Sequence, residues 1–188
     1  MYLLSQLATI DRELYIGIVT NFPRNFVFDI LFSILSGPVI AGGFWTIIVL
    51  VIYPLHRKKD IYTADKLLVT VLSSIIIVDL LIKNIVRRVR PELIFPELPY
   101  SFELFKHSFS FPSGHSAVAF GIAYILSRRY RKMAILWYIL AILVAFSRIY
   151  LEKHYPVDII VGAIIGTLIG MLVEKVMVPK RLKKIYNQ

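Results

Sequence analysis

Two histidines in this chain stand in polar, basic surroundings that long apolar segments rarely contain. His115 closes the run Pro112-Ser113-Gly114-His115, while His154 follows Ser147-Arg148-Ile149-Tyr150 and precedes Asp158 by four residues. A third cluster holds Lys83 and, seven residues on, Arg90-Pro91. Lysine and arginine recognise phosphate through charge-assisted hydrogen bonds. A histidine held by a carboxylate can attack phosphorus, and a second histidine can donate a proton to the group that leaves. Two histidines, three cations and one orienting carboxylate together suffice for phosphoryl transfer.

The local spacing assigns roles. With Pro156 suited to the first turn of a helix, the four-residue step from His154 to Asp158 lets the carboxylate accept the Nδ1 proton and leaves Nε2 free to attack. Arg148 offers a two-pronged fork for phosphate. Ser113 reads as the cap of an apolar helix, Gly114 permits close backbone approach, and the N–H groups of a helix N-terminus favour an anion. Lys83 and Arg90, two helical turns apart, are expected on one face of a helix that Pro91 terminates, with Asp79 one turn before Lys83 as its partner. Arg87, Arg88 and Lys106 read as snorkelling cations near a helix end. His56 and His107 read as loop residues. Glu92, Glu97 and Glu103 are scattered and make no carboxylate cluster, so metal-dependent hydrolysis is disfavoured and no metal or other cofactor is expected.

These residues need a scaffold that brings them together. The chain has 188 residues, 57% of them hydrophobic, with a mean hydropathy of +0.70 and no cysteine, which describes one integral membrane domain and gives no disulfide or thiolate site. The net charge of +10 is carried in short basic runs between apolar spans, where orientation and anionic lipid account for it; nucleic acid is not an expected partner. A bilayer crossing takes about 20 apolar residues. Five segments come near that: Asn25 to Pro54, Lys66 to Val86, Ser113 to Leu126, Met133 to Arg148 and Val157 to Val178. The first is long enough that Gly37-Pro38 is expected to kink it. Residues 1–22 carry Asp11, Arg12 and Glu13, which are expensive in hydrocarbon, and read as an interfacial amphipathic helix; residues 179–188 form a basic tail. No removable signal peptide is expected. The fold class is therefore all-α, an integral membrane bundle of five or six transmembrane helices with an N-terminal amphipathic helix. Gly162, Gly166 and Gly170 repeat every four residues and favour close internal packing.

Alternating loops put Arg57 to Lys59, Arg128 to Lys132 and Lys175 to Lys184 on one side, which the positive-inside rule makes cytoplasmic. The three clusters then meet at the opposite face. Cations placed there against the rule need another reason, and phosphate supplies one.

Lys83 with Arg90-Pro91, then Pro112-Ser113-Gly114-His115, then Ser147-Arg148 with His154 and Asp158, form a three-part pattern. In it the chain resembles the type 2 phosphatidic acid phosphatase family, whose signature also occurs in vanadium haloperoxidases and glucose-6-phosphatases. The resemblance covers about residues 66 to 178. It implies a metal-independent phosphatase in which His154 is the nucleophile, Asp158 orients it, His115 protonates the leaving oxygen, and Lys83, Arg90, Ser113, Gly114 and Arg148 hold the phosphate.

A site at the membrane surface suits a phosphate in the headgroup layer with its tail in lipid. The resemblance extends to undecaprenyl pyrophosphate, phosphatidylglycerophosphate, phosphatidic acid or lipid A 1-phosphate as the partner, in the cell membrane and facing outward. Phe95, Tyr100, Phe102, Phe105, Phe109 and Phe111 line the loop before Pro112 and either shape an entrance or anchor the loop. The competing readings are a phosphotransferase using the same first half-reaction and a lipid-binding or transport protein that keeps the fold. Nothing in the sequence fixes an oligomeric state.

Overall fold

A computed structural model describes residues 2–37, 45, 49, 61–94 and 109–177, and among them every regular element is helical. Helix α1 spans Tyr2–Asn21, α2 Phe26–Ser36 and α3 Ile61–Ser74. The last runs into a π-helical stretch, Ile75–Ile82, and a final turn, α4, Lys83–Val86. A short α5 (Pro91–Ile94) is followed by α6 (Gly114–Arg129), α7 (Ala134–Tyr150) and α8 (Pro156–Val176).

Among the described residues, three segments, Tyr62–Val86, Arg131–Tyr150 and Pro156–Val176, are long and apolar enough to cross a membrane. They expose Ile76, Leu80, Ile135, Ile142, Ile164 and Leu172 outward. Large apolar side chains displayed along the whole length of several helices have a natural solvent in lipid. Helix α6 is different: it is the bundle's centre, packed against α8, α7 and α3. Small residues such as Ala117, Ala119, Gly121 and Ala123 let its neighbours approach, and all four are buried.

The glycine repeat of α8 faces α6. A Cβ on Gly162 would stand 2.4 Å from the Ser113 carbonyl oxygen, and one on Gly166 only 1.9 Å from that of Ala117. Backbone lies directly on backbone, the close helix approach expected from the four-residue spacing. At the far end of the same helices Lys66 of α3 pairs with Glu174 of α8 at 2.9 Å.

Several boundaries differ from the sequence reading. Helix α2 stops at Ser36, where Gly37 takes a positive φ of 56° that a side chain would strain; apart from Trp45 and Val49, both buried, the remainder of the first expected span lies outside the described residues. The helix carrying Lys83 ends at Val86, because Arg87 adopts the left-handed conformation with its N–H bonded to the Lys83 carbonyl at 2.9 Å. Arg90 is therefore not two helical turns along the same face, and Pro91 opens α5 instead of closing the helix. The aromatic loop from Phe95 to Phe105, His56, Lys106, His107 and the basic tail also lie outside the described residues.

Gly166→Ala is expected to lower the melting temperature of the detergent-solubilised protein, since overpacking a tight contact costs on the order of 1–3 kcal/mol. Gly17→Ala, with nothing within 4 Å of the new methyl, should hold or raise it. Equal melting temperatures for the two variants would contradict the packing.

Candidate active site

Ser113 caps α6: its hydroxyl oxygen accepts the Ser116 N–H at 3.4 Å, and its own N–H donates to the Asp158 carbonyl at 3.0 Å. That second bond ties the start of α6 to the first turn of α8, and Gly162 makes room for it. In α8, Pro156 occupies the opening turn and Asp158 closes a capping box by accepting the Tyr155 N–H at 3.0 Å. His154 precedes that cap in the tight connection after Tyr150, where the N–H groups of Lys153 and His154 both donate to the Arg148 carbonyl, at 3.0 and 3.2 Å. Arg148 and His154 are thereby fixed to each other through the backbone.

The side chains gather at one end of the bundle. Lys83, Arg90, Arg148, His154 and Asp158 are all buried, and Ser113 and Gly114 lie buried beside them. His154 feels Arg90, Arg148 and Lys83, and His115 feels Arg148, His154 and Lys83, so the three sequence clusters share one electrostatic neighbourhood. Lys83 is held by Asp79 at 2.5 Å, the pair expected from their spacing. The same Asp79 carboxylate presses on Gly114, whose missing Cβ would sit 2.6 Å from Oδ2. A side chain at position 114 would collide with the counterion of Lys83.

Burial comes first in holding the His154 imidazole well below the usual histidine range, and the positive charges of Arg90, Arg148 and Lys83 add to it. A neutral ring is what a nucleophile requires. Its Nδ1 faces Asp158 Oδ2 at 3.7 Å, longer than a hydrogen bond, and has no other partner among the described residues. The carboxylate is instead engaged by the Tyr155 N–H and by Arg88. The direct bond read from the spacing is thus replaced by a facing pair.

Three further residues of this cluster were not read from the sequence as site residues. Ser36, at the C-terminus of α2, accepts from Arg148 Nη1 through its hydroxyl and from His115 Nε2 through its carbonyl, the latter at 2.9 Å. A carbonyl only accepts, so this nitrogen of His115 carries a proton. Arg88, read as a snorkelling cation, turns inward to bond Asp158 at 2.7 Å and Asp11 at 2.6 Å. Ser110 is buried beside His154 and Asp158, and its N–H donates to the Arg88 carbonyl at 2.8 Å. Outside this cluster, Glu92 receives Lys153 and stands 3.8 Å from Arg90.

Known proteins resemble this chain at the level of family and fold. The profile of the PAP2 superfamily matches residues 64–181. The undecaprenyl-diphosphatase of Sulfolobus acidocaldarius is 33% identical over 104 residues, covering 55% of this chain and 50% of that protein. The lipid A 4'-phosphatase of Porphyromonas gingivalis is 31% identical over 169 residues, 78% of this chain and 71% of that protein. The chain spans half or less of the length of most of the curated relatives it matches. Among solved structures, Aquifex aeolicus LpxE superposes with a TM-score of 0.69 at 26% identity, covering 88% of this chain and 95% of that one. The profile match takes in Lys83, the Ser113 cap, His115, Arg148, His154 and Asp158, and on that match the chain belongs to the PAP2 superfamily.

Proposed function

We propose that the chain is a metal-independent membrane phosphatase that removes phosphate from a lipid headgroup through a phosphohistidine on His154. The observation that carries this reading is the meeting of buried His154, half-buried His115 and Asp158 with Lys83, Arg90 and Arg148 at one end of an apolar bundle. The three cations, with the Ser113 hydroxyl and the backbone at Gly114, bind the phosphoryl oxygens and neutralise the charge that redistributes among them. His154 Nε2 forms a bond to phosphorus as the bond to the leaving oxygen breaks. With the substrate's negative charge bound among the cations, His115 holds a second proton and gives it to that oxygen. Neutral after that step, His115 takes a proton from the water that splits the phosphohistidine, so inorganic phosphate leaves and both histidines return to their starting forms. Asp158 orients His154, with a small ring rotation closing the 3.7 Å separation to a hydrogen bond.

The relatives' names, an undecaprenyl-diphosphatase and a lipid A 4'-phosphatase, support lipid phosphates as the substrate class. The basic residues Arg128, Arg129, Arg131 and Lys132 lie at the opposite end of α6 and α7 from the site, which supports a cell-membrane enzyme whose site faces outward. Five or six crossings fit this arrangement, with α1 at the outer interface: Asp11 and Tyr15 of α1 are buried while Leu7, Ile10 and Leu14 are exposed.

Purified protein in detergent with EDTA is expected to release inorganic phosphate from at least one of undecaprenyl pyrophosphate, phosphatidylglycerophosphate, phosphatidic acid and lipid A phosphates. His154→Ala should reduce that rate by about 10³-fold or more, as loss of a nucleophile does. Release that persists in the variant, or that needs an added divalent ion, contradicts the mechanism. Because the His154 pKa is lowered, its ring should stay neutral as pH falls through about 6.5, the ordinary histidine value. Histidine-selective ¹⁵N NMR, assigned with the alanine variant, should show His154 protonating only well below that pH; titration at or above it would contradict the burial of the ring among cations.

A further inference from the structure

The Asp158 carboxylate is fully buried, and both of its oxygens are occupied by groups other than His154. Oδ2 accepts the Tyr155 N–H at 3.0 Å, and Oδ1 accepts Arg88 Nη1 at 2.7 Å. The other arm of the same guanidinium, Nη2, donates to Asp11 Oδ2 at 2.6 Å, and its carbon lies 4.0 Å from the centre of the Tyr155 ring. Asp11, only 2% exposed, uses its second oxygen to accept the Val157 N–H at 2.9 Å. Tyr15, one turn along α1, packs edge-on against Tyr155 at 5.3 Å. All of these contacts except the Arg88–Asp11 pair fall on the four residues Tyr155 to Asp158 that follow His154.

A planar guanidinium bonded at both arms and stacked on a ring has little freedom left. It therefore sets the plane of the carboxylate it touches, and that carboxylate is the group facing His154 Nδ1. Arg88 engages the oxygen of Asp158 that is not the one nearest the imidazole, so it acts from behind and does not compete for the ring.

We infer that Arg88 is a positioning residue for phosphoryl transfer: braced by Asp11 of the N-terminal helix, it fixes the Asp158 carboxylate and through it the orientation of His154. Helix α1 is on this account part of the working site. The inference rests on the reading of His154 as nucleophile and Asp158 as its orienting carboxylate.

The test uses the full-length protein in detergent micelles and follows phosphate release from dioleoyl phosphatidic acid and undecaprenyl pyrophosphate. Arg88→Ala should lower kcat by about 10- to 100-fold, the range for outer partners that orient a reacting side chain. KM and inhibition by inorganic phosphate should stay close to wild type, because the phosphate-holding cations are untouched. Millimolar guanidinium ion should restore part of the lost rate, and Arg88→Lys, a single point charge between two carboxylates, should recover less than arginine supplies. Asp11→Asn should slow turnover several-fold in the native background and add nothing in the Arg88→Ala background. If Arg88 only stapled the fold, Arg88→Ala would lower the melting temperature while kcat stayed at the wild-type value with nothing for guanidinium to rescue, and that result overturns the inference. Wild-type kcat in both Arg88→Ala and Asp11→Asn, with His154→Ala inactive, overturns the positioning role and leaves the phosphatase reading intact. Full turnover in His154→Ala, or none in the wild-type protein on either lipid, overturns both. If Arg88→Ala fails to fold, Asp11→Asn decides alone: unchanged kcat overturns the inference.

Discussion

The 3.0 Å bond from the Ser113 N–H to the Asp158 carbonyl joins the scaffold to the chemistry. It can form only where α8 lies directly on α6, and that closeness depends on Gly162 and Gly166 having no side chain. Hydrocarbon offers no hydrophobic driving force between helices, so tight backbone packing must supply the specificity that water would otherwise enforce. Once α6 and α8 are locked, the cap before His115 and the cap after His154 are locked with them. The two histidines belong to segments 39 residues apart in the chain, and this one crossing makes them neighbours.

Electrostatics then determines how the site can exist at all. A charge at this depth is costly unless a partner stands beside it. Lys83 has Asp79, Arg88 has Asp11 and Asp158, Arg90 has Glu92 nearby, and Lys153 also turns to Glu92. Arg148 meets the hydroxyl of Ser36. Partnered cations thus stand beside both histidines, where the proposed reading places a phosphate. Burial and then the same cations lower the His154 pKa, so on the proposed reading anion binding and nucleophilicity arise from one arrangement of charge.

Much of this was legible in the sequence because it is written in short spacings. The Ser113 cap, Pro156 in the first turn of α8, the Asp79 and Lys83 pair and the glycine repeat are all contacts within five residues or a simple helical period. What was not legible depends on where a helix stops or on pairs far apart in the chain. Arg90 follows from the left-handed turn at Arg87, which no local pattern marks, since arginine has no special preference for that conformation. Arg88 near a helix end looks the same whether it snorkels outward or turns inward, and only a carboxylate 77 residues upstream decides which. Ser36 carries no charge to draw attention, yet it receives both Arg148 and His115 because α2 happens to end beside them.

The charged triplet of α1 shows how a single cost can be read two ways. Asp11, Arg12 and Glu13 weigh against the helix crossing the bilayer, and on composition alone that argues only for the interface. The structure gives Asp11 a positive reason to be there: it is buried against Arg88 and the Val157 N–H, while Leu7, Ile10 and Leu14 turn outward. A helix whose exposed side is apolar and whose acidic side chain is bound inside the protein is held to the bundle by that side chain. Its seat is set by the position of Arg88, and Arg88 is bonded in turn to Asp158. The placement of the N-terminal helix and the geometry beside His154 are therefore consequences of the same pair of ionic contacts.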